Sequence, residues 1–290
     1  MNPLPSLRRI SAIASTTFTE LIRLKLFYAV CALGLLLIGG SVFFARFSFQ
    51  EEFQILKDVS LGTITVFSAL LAIVATANLI PRDVEDRTAY AILAKAVPRK
   101  DYVIGKLLGT VGLIALSVLL MSTLFFAILA LRENAVVSAL QQSPTSSPQE
   151  LAANIATIHR AASWQLVAPA TLMIFLRSAV IAALTLFVST FATSNAFTIV
   201  VMMLVYLVAH LEPIAREYWL QMRTAGIATR SFLALVAIVF PDLQALDFGD
   251  AVASGNVIAS PLILKAAALA LFYVVLYALL AIASFSGREI

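Results

Sequence analysis

The chain has 290 residues, of which 61% are hydrophobic and only 12% are charged. Soluble domains carry about 45–50% apolar and about 25% charged residues, so this composition indicates a polytopic membrane protein of the all-α class. The formal net charge of +4 is small and forms no basic face, which argues against a nucleic-acid partner. The single cysteine excludes an internal disulfide framework and a cysteine-cluster metal site.

Residues 1–25 predict an amphipathic helix. Apolar side chains recur at three- and four-residue spacing from Leu7 to Ile22, and most of the charged residues fall elsewhere around the helix. Such a helix is typical of a segment that lies in the membrane interface, where its cations meet anionic headgroups of the membrane lipid. The alternative is a plain extension of the first membrane span.

Uncharged apolar runs predict the membrane spans, because a bilayer core needs about 20 apolar residues in a helix. The six predicted spans are residues 26–45, 59–80, 107–131, 166–191, 196–211 and 266–287. Polar residues between Ser189 and Asn195 separate the fourth span from the fifth. One long, tilted helix after Arg177 is the alternative, and it would change the parity of the topology.

Six spans place both termini on one side of the membrane. The N-terminal segment, the 81–106 loop, the turn at 192–195 and the C-terminus share that side, and their Arg and Lys residues are more numerous and lie in shorter segments. Basic residues concentrate in cytoplasmic loops, so this side is predicted to be cytoplasmic. The opposite, outer loops are about 46–58, 132–165 and 212–265.

The outer loops are predicted to be largely solvated. Within 132–165, a polar stretch broken by prolines indicates a loop, and Glu150–His159 is compatible with a short helix. Within 212–265, the apolar run Ser231–Pro241 is too short to span and predicts an interfacial or re-entrant helix. The acids that follow it, among them Asp247 and Asp250, are expected to lie in water.

Arg177 is the one ionisable residue that the predicted spans place clearly inside the membrane. An intramembrane charge is costly and by default suggests a functional role. The alternative is that its long side chain reaches towards the outer interface, with the charge in water. Both interpretations remain open from the sequence.

The 81–106 loop is the densest charged region of the chain. Its acids between Asp83 and Asp86 suit the start of a helix, where the helix dipole favours negative charge. Pro98 is predicted to interrupt the helical structure, and Asp101 is predicted to cap the helix of the third span. The simpler interpretation is a solvated loop that connects two spans and binds no partner.

A partner protein would explain this loop better. Its apolar side chains Tyr90, Ile92 and Leu93 would need covering. The chain itself has no G-x-x-x-x-G-K-[ST] phosphate loop and no H-E-x-x-H motif, so it is not expected to be an enzyme or to bind ATP by that route. We therefore expect any energy source to lie on a separate chain.

The stretch DVEDRTAYAILAKAVPRKDYVIGKLLG, residues 83–109, resembles the cytoplasmic loop of ATP-binding-cassette (ABC) transporter permeases of the type-2 exporter class. The family pattern there is E-x-E-x-[GR]-T, a Leu-rich stretch, Pro-Val-Ser-Arg, and Gly-Lys at the third span. Ala96 stands at the usual Pro and Pro98 at the usual Ser, which displaces the expected kink by two residues. The matching residues are Asp83, Glu85, Arg87, Thr88, Leu93, Ala94, Lys95, Arg99, Gly105 and Lys106. TFTELIRLKLFYAV and FVSTFATSNA are similar to the family's elbow helix and second cytoplasmic connection.

The resemblance implies one permease of a dimer, formed with a second copy or with a homologous permease, in the inner membrane of a bacterium. Two copies of an ABC ATPase subunit would bind ATP and Mg, and this chain would hold no cofactor. The cargo would be exported, and the apolar spans suit an amphipathic or lipid-like one. The residues implied in coupling to the ATPase are Asp83, Glu85, Asp86, Arg87, Thr88, Leu93, Lys95, Arg99 and Lys106.

Two alternatives remain. A non-transporting relay would use the same ATPase to act through its outer loops on an extracytoplasmic partner. An ion- or proton-coupled carrier would need no ATPase, but such carriers usually show several carboxylates within their spans, and the predicted spans contain none.

Overall fold

The computed structural model describes residues 3–45, 52–85, 97–142, 148–192, 194–221, 243–256 and 258–287. These residues form ten helices and no strand, which confirms the predicted all-α class for the described part of the chain. In chain order the helices are α1 Pro3–Ile22, α2 Lys25–Ala45, α3 Glu52–Ala77, α4 Leu79–Glu85, α5 Arg99–Gln141, α6 Pro148–Ala161, α7 Trp164–Phe191, α8 Asn195–Gln221, α9 Gly249–Ala253 and α10 Ser260–Ser286.

Five stretches of helix are long and apolar enough to cross a membrane, as expected for a multi-pass membrane protein. They overlap the first, second, third, fourth and sixth predicted spans. The segments are Lys25–Phe43, Glu52–Asp83, Arg99–Gln141, Gln149–Phe191 and Ser260–Ser286. The fifth predicted span falls in α8, whose apolar stretch Asn195–Ala209 is shorter. The count of six spans and the side of the termini stay predictions.

The helix is interrupted between α7 and α8. Helix α7 ends at Phe191, Ala192 is extended, and the Ser194 hydroxyl accepts a hydrogen bond from the Phe197 N–H at 3.2 Å. This is the side-chain capping that starts a helix. The alternative of one long helix after Arg177 is therefore wrong.

Helix α7 lies at the centre of the bundle. Every residue from Arg177 to Leu186 is buried, and the helix packs against α3, α5, α8 and α10. Its small residues allow close approach, and hydroxyl pairs link it to its neighbours, as in many membrane bundles. The pairs are Ser178 with Ser68 of α3 at 2.8 Å and Thr190 with Ser284 of α10 at 2.9 Å.

The predicted outer loop 132–165 is mostly helical. Helix α5 has 43 residues and ends only at Gln141, and α6 contains the short helix expected around Glu150–His159. At 1.5 Å per residue α5 is about 64 Å long, against a bilayer core of about 30 Å. The charge at Arg132 marks the end of the apolar run, but the first Gly or Pro after it is Pro144, so the helix continues to Gln141.

Part of the predicted outer loop 212–265 also packs against the bundle, among the residues that the structure describes. Helix α8 extends to Gln221, and α9 packs against α3 and α7. Leu243, Leu246 and Val252 are each at most 2% exposed. The short helix predicted at 231–241 lies outside the described residues.

The helix predicted at residues 1–25 is α1, and it packs lengthwise along the first turns of α5. A Cβ placed on Gly105 would lie 2.7 Å from the Cβ of Ile13, and one placed on Gly109 would lie 2.7 Å from the Cβ of Thr17. The contacts advance in step along both helices, so α1 and α5 run parallel. Close approach of this kind depends on small residues spaced four apart.

We expect Gly109→Ala to destabilise the fold, because the new Cβ would also lie 2.8 Å from the Ala14 carbonyl oxygen and force α1 to move. Overpacking of this kind costs about 1–3 kcal/mol, which corresponds to several degrees in Tm. The matched control is Gly39→Ala on α2, whose Cβ would meet nothing within 4 Å. Thermal unfolding of the two purified variants in detergent measures the difference, and equal Tm values would contradict the close packing.

Candidate functional site

A buried polar cluster joins α4 to α5. The Lys106 ammonium lies 2.7 Å from Oδ2 of Asp83, and the Tyr102 hydroxyl donates to the same oxygen at 2.5 Å. Tyr102 and Lys106 are four residues apart, so they lie on one face of α5, and the ammonium is 5.7 Å from the centre of the Tyr102 ring. Asp83, Tyr102 and Lys106 are 8%, 0% and 5% exposed. We call these three residues the Asp83 cluster.

The Asp83 cluster positions α4. This helix has seven residues, too few to be stable alone in water, so its place depends on its contacts with the bundle. Burying two charges is costly, and removal of one partner from such a pair costs about 3–5 kcal/mol because the other charge is left buried. The pair therefore fixes where α4 sits relative to α5.

Arg99 binds the end of the last helix. Its guanidinium Nη1 donates to the carbonyl oxygen of Ser286 at 2.5 Å and lies 3.4 Å from that of Phe285. A cation is favourable at a helix C-terminus, where carbonyls lack helical partners. The Phe285 ring also stacks on Tyr102, with ring centres 5.5 Å apart. The first turns of α5 are thus attached to α10.

Asp101 does not cap α5, contrary to the sequence prediction. The residue before the helix is Pro98, with φ −60° and ψ 137°, and Asp101 lies in the first turn. Its carboxylate is 1% exposed, accepts a hydrogen bond from the Ser6 hydroxyl at 3.0 Å and pairs with Nε of Arg9 at 3.1 Å. Asp101 instead fastens α1 to α5.

The segment predicted as a loop at 81–106 is helical at both described ends. Helix α4 continues to Glu85 and α5 begins at Arg99. Dense charge suggested a solvated loop, but several of these charges pair inside the protein. We call this end of the bundle, where α4, the start of α5 and the end of α10 meet, the α4 end. Ser6 and Ser286 both lie there, as expected if the two termini share a side.

The residues implied in coupling therefore divide into two groups. Asp83, Arg99 and Lys106 have internal partners within the bundle. Glu85 is the last residue of α4. The others lie outside the described residues: Asp86, Arg87, Thr88, Leu93 and Lys95.

Arg177 has a partner that the sequence did not suggest. It is 2% exposed in the middle of α7, and its Nη1 lies 2.5 Å from Oδ2 of Asp247. The second carboxylate oxygen of Asp247 accepts the N–H of Gly249 at 3.1 Å. Asp247 was expected to lie in water, but the segment before α9 brings it into the bundle. The Asp247 carboxylate therefore compensates the charge of Arg177 inside the bundle. A side chain that reached into solvent would not need such a partner.

Further polar contacts join the helices at the opposite end, which we call the α9 end. Lys57 is buried, and its ammonium donates to a backbone carbonyl of α9 at 3.0 Å. The partners are Lys57 with Val252, Arg132 with Glu52, and His159 with Glu133. They attach α9 to α3, α5 to α3, and α6 to α5. Among the residues that the structure describes, no three His, Cys, Asp or Glu side chains gather as a metal site.

A scan against protein-family models finds no match to the sequence, and a search of curated proteins finds no relative with significant similarity. The resemblance to type-2 exporter permeases therefore depends on the residues quoted for it. Of these, Asp83, Arg99, Gly105 and Lys106 lie at the joint between α1, α4, α5 and α10.

A double-mutant cycle tests the Asp83 cluster. We expect Asp83→Asn and Lys106→Met each to lower stability strongly, by about 3–5 kcal/mol, because each leaves one buried charge unpaired. The double variant should be less destabilised than the sum of the two, since it removes both charges. Thermal unfolding in detergent measures all three variants. Additive losses would show that the two side chains are not coupled.

Proposed function

We propose that this chain is the membrane-spanning permease subunit of an ATP-driven exporter, and that separate ATPase subunits drive it through residues 81–106. The observation that carries the proposal is the coincidence of the family-like residues with a structural joint. Asp83 and Lys106 join α4 to α5, and Arg99 joins the start of α5 to the end of α10, so both flanks of this segment are attached to the bundle. A segment so attached can pass a displacement on to the helices.

The contacts suggest how the displacement spreads. A partner that moves the 81–106 segment moves α4 and the start of α5 together, because the Asp83 cluster joins them. The start of α5 carries α1 through Asp101 and pulls on the end of α10 through Arg99. Helix α10 also packs along the central α7, where Ser284 bonds to Thr190, so a displacement of α5 reaches α7 through α10. Movement of packed helices relative to one another is the kind of rearrangement that opens and closes a transport path.

The two groups of residues have different roles in this proposal. Glu85, Asp86, Arg87 and Lys95 supply the charges that meet the ATPase, and Leu93 supplies an apolar contact. Asp83, Arg99 and Lys106 act as positioning residues that transmit the movement. This division refines the sequence expectation, which grouped all of them as residues that couple the chain to the ATPase.

The relay alternative is supported by the α9 end. Helix α9 is attached there to α3 through Lys57, and α6 is attached to α5 through the His159–Glu133 pair, so the described part of this end is a packed surface. A rigid outer surface suits a protein that acts on an extracytoplasmic partner. Reconstituted vesicles that contain the ATPase, hydrolyse ATP and move no labelled lipid or hydrophobic cation would favour the relay.

Co-purification tests the proposal. We expect the affinity-tagged chain to bring down a subunit whose sequence contains G-x-x-x-x-G-K-[ST], identified by mass spectrometry. Glu85→Lys combined with Arg87→Glu should reduce its recovery at least tenfold, since reversed charges repel where they had attracted. The matched control is Arg160→Glu, a reversal at an exposed position on α6 at the α9 end.

Two results would contradict the proposal. One is a purified, folded chain that never carries a phosphate-loop subunit. The other is equal recovery of that subunit with the double reversal and with the wild-type chain.

A further inference from the structure

A cleft of about 680 Å³ lies at the α9 end. Helix α3 lines it from Asp58 to Val66, α8 contributes Tyr206 and Leu207, and residues Asp247–Asp250 close one side. Pockets of about 300–1,000 Å³ are the usual size for small-molecule sites. The cleft therefore has room for an organic molecule and not only for an ion.

The wall of the cleft changes from charged to apolar along α3. Asp58 stands near the start of the helix, and Val66 lies about 12 Å further on at 1.5 Å per residue. Val66 and Leu207 are each 54% exposed, so the apolar part of the cleft is open to the surroundings of the bundle. A ligand could place a polar group at one end and an apolar body along the other.

The charged end of the cleft has an excess of negative charge. Asp247 is already paired with Arg177. Asp58 and Asp250 both line this end of the cleft and are both exposed, and no ion pair to either is found among the described residues. Like charges at one end of a cleft repel each other. The neighbouring Lys57 does not compensate them, because it is 2% exposed and its ammonium donates to the carbonyl oxygen of Val252. A cation between Asp58 and Asp250 would relieve their repulsion.

We propose that this cleft binds an organic cation with a bulky apolar body. The positive group lies between Asp58 and Asp250, and the apolar body lies against Leu61, Val66 and Leu207. An organic anion of the same shape is repelled by the two carboxylates. A bare metal ion leaves the apolar wall without a partner. Binding does not depend on an ATPase, and only the further step, that such a cation is the cargo, rests on the proposed function.

The test uses the full chain in nanodiscs of neutral lipid and two probes of matched shape and opposite charge. Tetraphenylphosphonium is the cation and tetraphenylborate is the anion. Equilibrium dialysis with each labelled probe, after subtraction of empty nanodiscs, gives the saturable binding. We expect saturable binding of tetraphenylphosphonium only.

Two kinds of variant locate the site. Gly62→Leu puts a side chain into the cleft, and its Cβ would meet nothing within 4 Å, so the fold tolerates it. Asp58→Asn combined with Asp250→Asn removes the two charges. We expect at least a tenfold rise in the Kd of tetraphenylphosphonium for each. The matched controls should keep the wild-type Kd: Gly39→Leu on α2, which is also open, and Glu150→Asn on α6, which is exposed.

Several outcomes would overturn the proposal. They are no saturable cation binding, equal binding of tetraphenylborate, unchanged binding in Gly62→Leu, or the same loss of binding in the controls. None of them bears on whether an ATPase binds residues 81–106, so failure of this site and failure of the proposed function are distinguishable.

Discussion

The arrangement of the α4 end depends on the buried ion pair between Asp83 and Lys106. Two charges taken out of water are stable only when they stay together, so the pair acts as a positional constraint more than as a source of stability. It sets α4 against α5, and the same two turns of α5 hold α1 through Asp101 and α10 through Arg99. Loss of the pair would release α4 from this joint, while Asp101 and Arg99 would still hold α1 and α10 to α5.

The bundle is polar at its two ends and apolar between them. At the α4 end the polar groups join helices that are far apart in the chain, and at the α9 end Arg177 and Lys57 draw the segment around α9 into the fold. Between the ends, α7 packs through small residues and the Ser178–Ser68 hydroxyl pair. Helix α5 reaches both ends, through Lys106 at the α4 end and through Arg132, which pairs with Glu52, at the α9 end. A displacement proposed at one end therefore has a continuous helix along which to reach the other.

Local patterns in the sequence predicted the elements well and their partners poorly. Apolar runs located helices α2, α3, α5, α7 and α10, and the polar residues before Asn195 located the break between α7 and α8. Charged residues gave wrong predictions of helix ends and of solvent exposure where they form ion pairs inside the protein. Arg132 suggested the end of a helix that continues to Gln141. Asp247 lies 70 residues from Arg177, and no periodicity or motif connects residues at that separation. The pairing of Asp83 with Lys106 was likewise invisible until the two helices were placed side by side.

The central claim is that residues 81–106 bind an ATPase, and site-specific photo-crosslinking tests it most directly. A benzophenone amino acid replaces Leu93 in the full chain, in native membranes, and Leu131 serves as the control because it is 68% exposed on α5 near the α9 end. The account predicts that position 93 captures a protein that contains a phosphate loop, identified by mass spectrometry, and that position 131 does not. Capture of no such protein at position 93, or equal capture at both positions, would contradict it.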